Sequence, residues 1–391
     1  AISGSHNIEV RESKHLFLKL GKIQPQIEEW VGGKSHWPKT VLGIAGKWLK
    51  EGLRPRCITR DLSWGVPVPL EGYENKVFYV WFDAPIGYIS ITQEWAEEQG
   101  SPDRWKDYWK DPDCKLVQFL GKDNVPFHAV TWPATMMGAD DGFILADYIK
   151  GFEWLQYDGG KFSTSLKRGV FTDQALEVCP PDYWRFYIMY HSPERSDSDF
   201  NWDEFASLIN SGLADSLGNF AQRSISLLVK KMDGKIPQDW VPRPEDEAMI
   251  QRLEEAVEKW KSQMGDLKMS AAVRELHQFW ISCNQYITQM EPWAKFKTDH
   301  DHAAATITLC AHLIRSSAIL ASSVIPFGAQ KLFEALGLGG EIENFKIDDA
   351  KNVTCLLGHT VTDKPTPVFM KIEPEQVEEW KTRFGGTDQP A

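Results

Sequence analysis

Closely spaced cysteines, an excess of positive charge and a secretory leader are all missing from this 391-residue sequence. No apolar run reads as long enough to cross a bilayer, and no signal peptide is visible. The six cysteines, Cys57, Cys114, Cys179, Cys283, Cys310 and Cys355, lie far apart, and no two have metal-ligand or redox spacing. A reduced, cytoplasmic protein is the natural expectation. The net charge of −12 argues against a polyanion binder held by an overall basic surface, while leaving room for local basic patches. Repeats and low-complexity stretches are absent too. What the chain does have is 17 Trp and 20 Phe, on an ordinary balance of 42% apolar and 25% charged residues. The length suits two or three folding units.

Segment patterns divide the chain. Roughly the first seventy residues mix short pieces broken by Gly, Pro and charges, as a small α+β part would. From Lys76, "KVFYVWFDAPIGYIS" predicts a buried parallel strand that ends at Asp83, then a helix closing at Gly100. "KLVQFLG" and "DGFILADYIKGF" supply two more strands, with a helix opening near Val125 between them. Strands alternating with helices indicate a parallel α/β sheet, whose ligands sit beyond the carboxyl ends of the strands. After Asn201 the pattern is helical, with Phe205, Leu208, Leu213, Leu217 and Phe220 on one stripe. Short polar connections predict an antiparallel bundle. The tail "TPVFMKIEPEQVEEW" reads as a strand followed by a helix.

Four constellations carry possible chemistry, and each has a plainer reading. Arg60 and Asp61 sit together: a guanidinium fork for a carboxylate or phosphate, or a surface ion pair. Trp81, Ala84, Pro85 and Tyr88 form an aromatic-walled slot, or ordinary core. "GKDNVPFH" offers Gly121 for close backbone approach, Asp123 for ribose hydroxyls, and His128. It also reads as a capped helix. "GGKFSTSLKRGVF" gathers Lys161, Lys167, Arg168, Ser163, Thr164 and Ser165 on a loop, either for a polyphosphate or as a solvated turn.

The order of these pieces, and their wording, resembles a known family. "VFYVWFDAPIGYIS", "FLGKDNVPFHAVTWPA", "DYWRFYIMYHSPERSDSDFNW", "ADSLGNFAQR", "NQYITQMEPW" and "PVFMKIEPEQVEEW" are similar to phrases of the class I aminoacyl-tRNA synthetases, and among them the methionyl-tRNA synthetases. "KFSTS" occupies the place of that family's KMSKS signature. The resemblance implies ATP-dependent activation of methionine to methionyl-adenylate, followed by transfer to tRNA(Met), with ATP and Mg2+ required. It puts Trp81, Ala84, Pro85, Tyr88, Phe127, His128 and Trp132 around methionine, where a polarizable thioether suits aromatic walls. It puts Gly121, Asp123, Lys161, Ser163, Thr164 and Ser165 at ATP. Lys161, Lys167 and Arg60 become the catalytic cations. Asn219, Arg223 and Trp293 become readers of the anticodon, by edge hydrogen bonds and stacking.

Departures from the family pattern are also visible. The signature's second lysine falls on Thr164, so Lys167 is the nearest cation able to replace it. No HIGH stretch is found, so the first half of the nucleotide fold is expected to lie on a missing amino-terminal segment of the same enzyme. "ISGSHNIEVRES" has Ser3 and Ser5 where a knuckle would carry cysteine, so zinc is possible only in that segment, and this chain holds no metal site. The expected organisation is the end of a connective insertion (1–60), the second half of a Rossmann-like domain (61–155), and the signature loop with a stem-contact region (156–200). A helical anticodon-binding bundle (201–345) and a strand and helix that pack back (346–391) complete it. The resemblance implies a methionine–tRNA ligase, present as a truncated chain. The alternative is a non-catalytic tRNA-binding protein derived from the family.

Overall fold

The structure, a computed structural model, describes residues 12–362 and 366–386. The chain forms two compact units, Ala1–Glu153 and Trp154–Ala391. Ser3 and Ser5 lie outside the described residues.

In the first unit, β1 (Phe17–Leu18) pairs antiparallel with β2 (Arg56–Cys57), and β3 (Thr59–Arg60) with β4 (Val77–Phe78). Helices α1 (Gln24–Gly32) and α2 (Lys39–Glu51) fill the interval between β1 and β2. After β4 the chain turns helical through α3 (Val80–Asp83) and α4 (Gly87–Glu98), then α5 (Lys106–Trp109). Strand β5 (Val117–Gly121) runs parallel to β6 (Tyr148–Phe152), in register from Val117↔Tyr148 to Gly121↔Phe152. A π-helical turn, Phe127–Thr131, and α6 (Trp132–Ala139) make the crossover between them. The core joins Ile27, Val41 and Ala45 to Val125, Ala129 and Ile149. A side chain at Gly151 would come 2.9 Å from Val41 Cγ2, so glycine lets α2 lie close on β6.

Two of the three expected strands pair in parallel; the first does not. The apolar run from Lys76 yields only β4, antiparallel to β3, before α3 begins. Apolarity alone cannot choose between strand and helix. Here the partner strand is two residues long, the last cross-link is Tyr79 N–H to Ile58 O, and Pro85 opens a further helical turn.

In the second unit, β7 (Leu155–Tyr157) pairs in parallel with β8 (Ser198–Phe200), across α7 (Thr172–Val178) and α8 (Pro181–Tyr190). Helix α9 (Trp202–Leu208) is capped by Asn201, whose side chain accepts the Glu204 N–H. It continues without a break through a ten-residue π-helix, Ile209–Gly218, into α10 (Asn219–Met232). All five residues of the expected stripe are buried. The five-residue step from Leu208 to Leu213 fits i→i+5 winding, not an α-turn.

The bundle continues with α11 (Pro244–Gly265), α12 (Met269–Met290), the short α13 (Pro292–Lys295), α14 (His300–Ala321) and α15 (Pro326–Ala335). Helix α14 is, contrary to the sequence expectation, long and apolar enough to cross a membrane; yet 94% of its most apolar window is buried inside the protein, as the bundle's core helix. The tail forms no strand among its described residues. Residues 367–372 bend at Val368 and Phe369 without regular structure, held by Tyr183 Oη to Met370 and by Asn210 to Ile372 in place of a ladder. Helix α16 (Pro374–Phe384) then packs on α9, where Trp202 meets Trp380 at 5.0 Å and Phe384 at 5.5 Å between ring centres.

Candidate functional site

The first unit brings four of the expected slot residues together. Trp81, on α3, stacks on Phe127, which opens the π-helical turn: 4.5 Å between centres and 15° between planes. Tyr88 Oη, from α4, lies 3.0 Å from His128 Nε2, and His128 Nδ1 lies 3.0 Å from the carbonyl of Asn124. A carbonyl only accepts, so Nδ1 carries the proton and Nε2 takes the Tyr88 hydroxyl. Burial pushes the His128 pKa down and so favours the neutral ring, against the bond to Asn124, which acts to raise it. Both polar hydrogens of this pair are therefore committed, one to Nε2 and one to the Asn124 carbonyl, and neither points as a free donor into the slot. Asn124 thus reaches His128 through its backbone, not its side chain. Pro85 is buried and Ala84 exposed beside them. Trp132 goes elsewhere, into a small core cluster with Ile89, Trp109 and Met136.

Sequence reasoning missed one group here, Arg56, and placed another, Asp83, only at the end of the expected strand. The Arg56 guanidinium lies 5.0 Å from the Phe127 ring centre and 5.7 Å from that of Trp48. Asp83 Oδ1 is buried with no hydrogen-bond partner among the described residues. The surroundings of both depend on what the fold covers, which a linear pattern does not show.

At the carboxyl end of β5, Gly121 precedes exposed Asp123; a side chain at Gly121 would come 2.8 Å from Asp123 Oδ1. Arg60 lies over the Tyr79 ring at 3.9 Å and donates to the Thr59 carbonyl at 2.8 Å. It does not pair with Asp61. That carboxylate takes Lys76 and Ser13, with His15 Nε2 at 3.2 Å, and the Lys76 hydrogen bond foremost pulls its pKa down to about 2.

In the second unit, the loop around Lys161 is a tight hairpin. Ser163 and Arg168 exchange both backbone hydrogen bonds at 2.9 Å, closing the turn Thr164–Ser165–Leu166–Lys167. Ser163 Oγ meets Ser165 Oγ at 3.2 Å. Lys167 holds a left-handed backbone, φ 51°, costly for a side chain with no turn-forming role. Lys161, Thr164, Ser165 and Lys167 are exposed. Arg168 is not available as a ligand: its Nη2 donates to the carbonyls of Tyr157 and Asp158.

The bundle carries the third group. Asn219 and Arg223 stand one turn apart on α10, and the Arg223 guanidinium lies 4.9 Å from the centre of the Trp293 ring. Trp293 follows buried Pro292, after Glu291 in a left-handed conformation, and remains 38% exposed. Beside Asn219 an open groove of about 510 Å³ runs between the π-helix and α12, lined by Asp215, Ser216, Asn284, Gln285, Thr288 and Gln289. Among the described residues, no group of three or more His, Cys, Asp or Glu side chains is arranged to hold a metal ion.

Comparison with known proteins gives one pattern throughout. Residues 1–225 match the family model described as tRNA synthetases class I (M), and residues 236–389 that of the anticodon binding domain of methionyl tRNA ligase. Methionine–tRNA ligase 1 of Acaryochloris marina is 44% identical over 386 residues, which cover 98% of this chain and 69% of that protein. The methionine–tRNA ligase of Maricaulis maris is 45% identical over 399 residues, 99% of this chain and 69% of that one. The crystal structure of Mycobacterium tuberculosis methionyl-tRNA synthetase bound by methionyl-adenylate superposes with TM-score 0.80 at 25% identity, covering 92% of this chain and 69% of that one.

Proposed function

We infer the function from a premise: this chain belongs to the methionyl branch of the class I tRNA synthetases, as a methionine–tRNA ligase. It uses ATP to activate methionine and passes the methionyl group to tRNA. In the first step the amino acid's carboxylate attacks the α-phosphorus of ATP, forming the adenylate and releasing pyrophosphate. In the second, a hydroxyl of the tRNA's terminal ribose attacks the acyl carbon and releases AMP. Neither step needs a protein nucleophile, so positioning and charge neutralisation carry the rate.

The roles of single residues are our proposal. Trp81, Phe127, Tyr88 and His128 hold the methionine side chain, with Ala84 and Pro85 at its edge and Trp132 supporting from the core. The stacked Trp81–Phe127 pair beside the Tyr88–His128 hydrogen bond is the observation that carries this reading. A neutral imidazole with both nitrogens satisfied gives a soft apolar wall, suited to a thioether. Gly121 and Asp123 receive the ribose. Lys161 and Lys167 neutralise the leaving pyrophosphate, with Ser163, Thr164 and Ser165 shaping the turn, and Arg60 meets the reacting carboxylate. Mg2+ would arrive with the ATP phosphates. Asn219, Arg223 and Trp293 take an unpaired anticodon base. The enzyme acts in the cytoplasm.

The test is methionine-dependent exchange of pyrophosphate into ATP by the full-length gene product. Exchange that needs methionine is the expected result. Exchange driven equally well by leucine would remove the slot assignment, and none with any amino acid would leave only a tRNA-binding module.

A further inference from the structure

On the reading that Asn219, Arg223 and Trp293 take up an unpaired base, we propose that Asn284 is the positioning residue that aims them. Asn284, on α12, donates from Nδ2 to the Ser216 carbonyl at 2.6 Å. That same carbonyl accepts the backbone N–H of Asn219. One oxygen thus joins the residue that reads to a residue on another helix. Asn284 also lines the groove that Asn219 faces.

The place of this contact matters. Ser216 lies in the π-helix Ile209–Gly218, two residues before it yields to α10. Its hydroxyl bonds back to the Ser211 carbonyl, five residues earlier, in keeping with π winding. A π segment carries a surplus residue relative to an α-helix, and that surplus can migrate. If it moves from this junction into α10, each residue that it passes is turned by roughly 100°. Asn219 then leaves the groove and Arg223 leaves the face of Trp293. The Asn284 amide binds the carbonyl at this junction and holds the register in which Arg223 sits 4.9 Å from the Trp293 ring. The pin is itself fixed, because the amide lies 3.3 Å from the Trp280 carbonyl one turn back on α12.

The experiment uses a fluorescently labelled anticodon stem-loop of tRNA(Met), and a copy with its wobble cytosine changed to uracil, titrated with the full chain and followed by anisotropy. Asn284→Asp keeps the shape but loses the donor; Asn284→Ala loses both without adding charge. Each is expected to weaken binding of the cytosine loop roughly tenfold, a loss of about 1.4 kcal/mol, and to shrink the preference for cytosine over uracil. That preference is a ratio, independent of how much protein is folded; circular dichroism melting checks folding separately. Wild-type affinity and preference in both variants, with Trp293→Ala still losing binding, overturns the role of Asn284 alone. Wild-type binding by Trp293→Ala overturns the base-reading assignment, and the positioning role with it.

Discussion

The Arg223 guanidinium rests 4.9 Å from the centre of the Trp293 ring, bringing together two residues seventy positions apart, on α10 and on the short helix after Pro292. A cation over an indole orders both groups before any ligand arrives. Arg223→Ala and Trp293→Ala are each expected to weaken tRNA binding, and the double variant to lose less than the sum. A coupling of about 0.5–2 kcal/mol is the expected size. Strict additivity in filter-binding titrations would show two independent contacts.

Lys167 couples charge to an unusual backbone, with φ 51° in the turn closed by Ser163 and Arg168. Asparagine tolerates that conformation without the charge. Lys167→Asn is therefore expected to slow adenylate formation by roughly tenfold or more, while ATP binding changes little. Pre-steady-state pyrophosphate release is the readout. An unchanged rate means that no cation compensates for Thr164 from this position.

His128 is held neutral by burial, its pKa below the ordinary 6.5. A depressed histidine binds fewer protons folded than unfolded. Its contribution to stability is thus complete above about pH 6.5 and is lost as pH falls through and below that value. The KM for methionine is expected to stay flat from pH 8 down to about 6.5 and to rise only in more acid solution. His128→Ala raises that KM at every pH and abolishes the acid limb. A limb above pH 6.5 would assign the titration to another group.

Helix α16 is anchored by Trp380 and Phe384 against Trp202, and the Phe384 carbonyl accepts the Gly169 N–H just beyond the hairpin. Trp380→Ala is expected to destabilise the second unit by about 3–5 kcal/mol. Urea unfolding followed by far-ultraviolet dichroism measures it. A loss below 1 kcal/mol would show the helix to be dispensable for the bundle.

Much of the fold was readable from local chemistry. Periodicity located the bundle helices, and the buried stripe from Phe205 to Phe220 follows from it. Alternation of apolar runs with helical stretches located β5 and β6. The run from Lys76 misled, because a buried strand and a buried helical turn have the same apolar composition; a two-residue partner strand and Pro85 decided between them. The same limit applies to α14, a helix legible in the sequence, whose apolarity could serve a bilayer or a protein core until burial chose the core.

By itself, then, the sequence determined which side chains are available for the work: aromatic walls, a histidine, a cation-bearing loop, and an asparagine and arginine one helical turn apart. Those are properties of residue type and short spacing, which local geometry enforces. Tertiary structure decided how they are used. It spent both hydrogens of the Tyr88–His128 pair on each other and on Asn124, and turned Arg168 onto backbone carbonyls. It set Arg56 beside Phe127 and placed Asn284 against Ser216. Each of these depends on which groups distant segments deprive of water, and a deprived polar group must then find its partner wherever the fold supplies one.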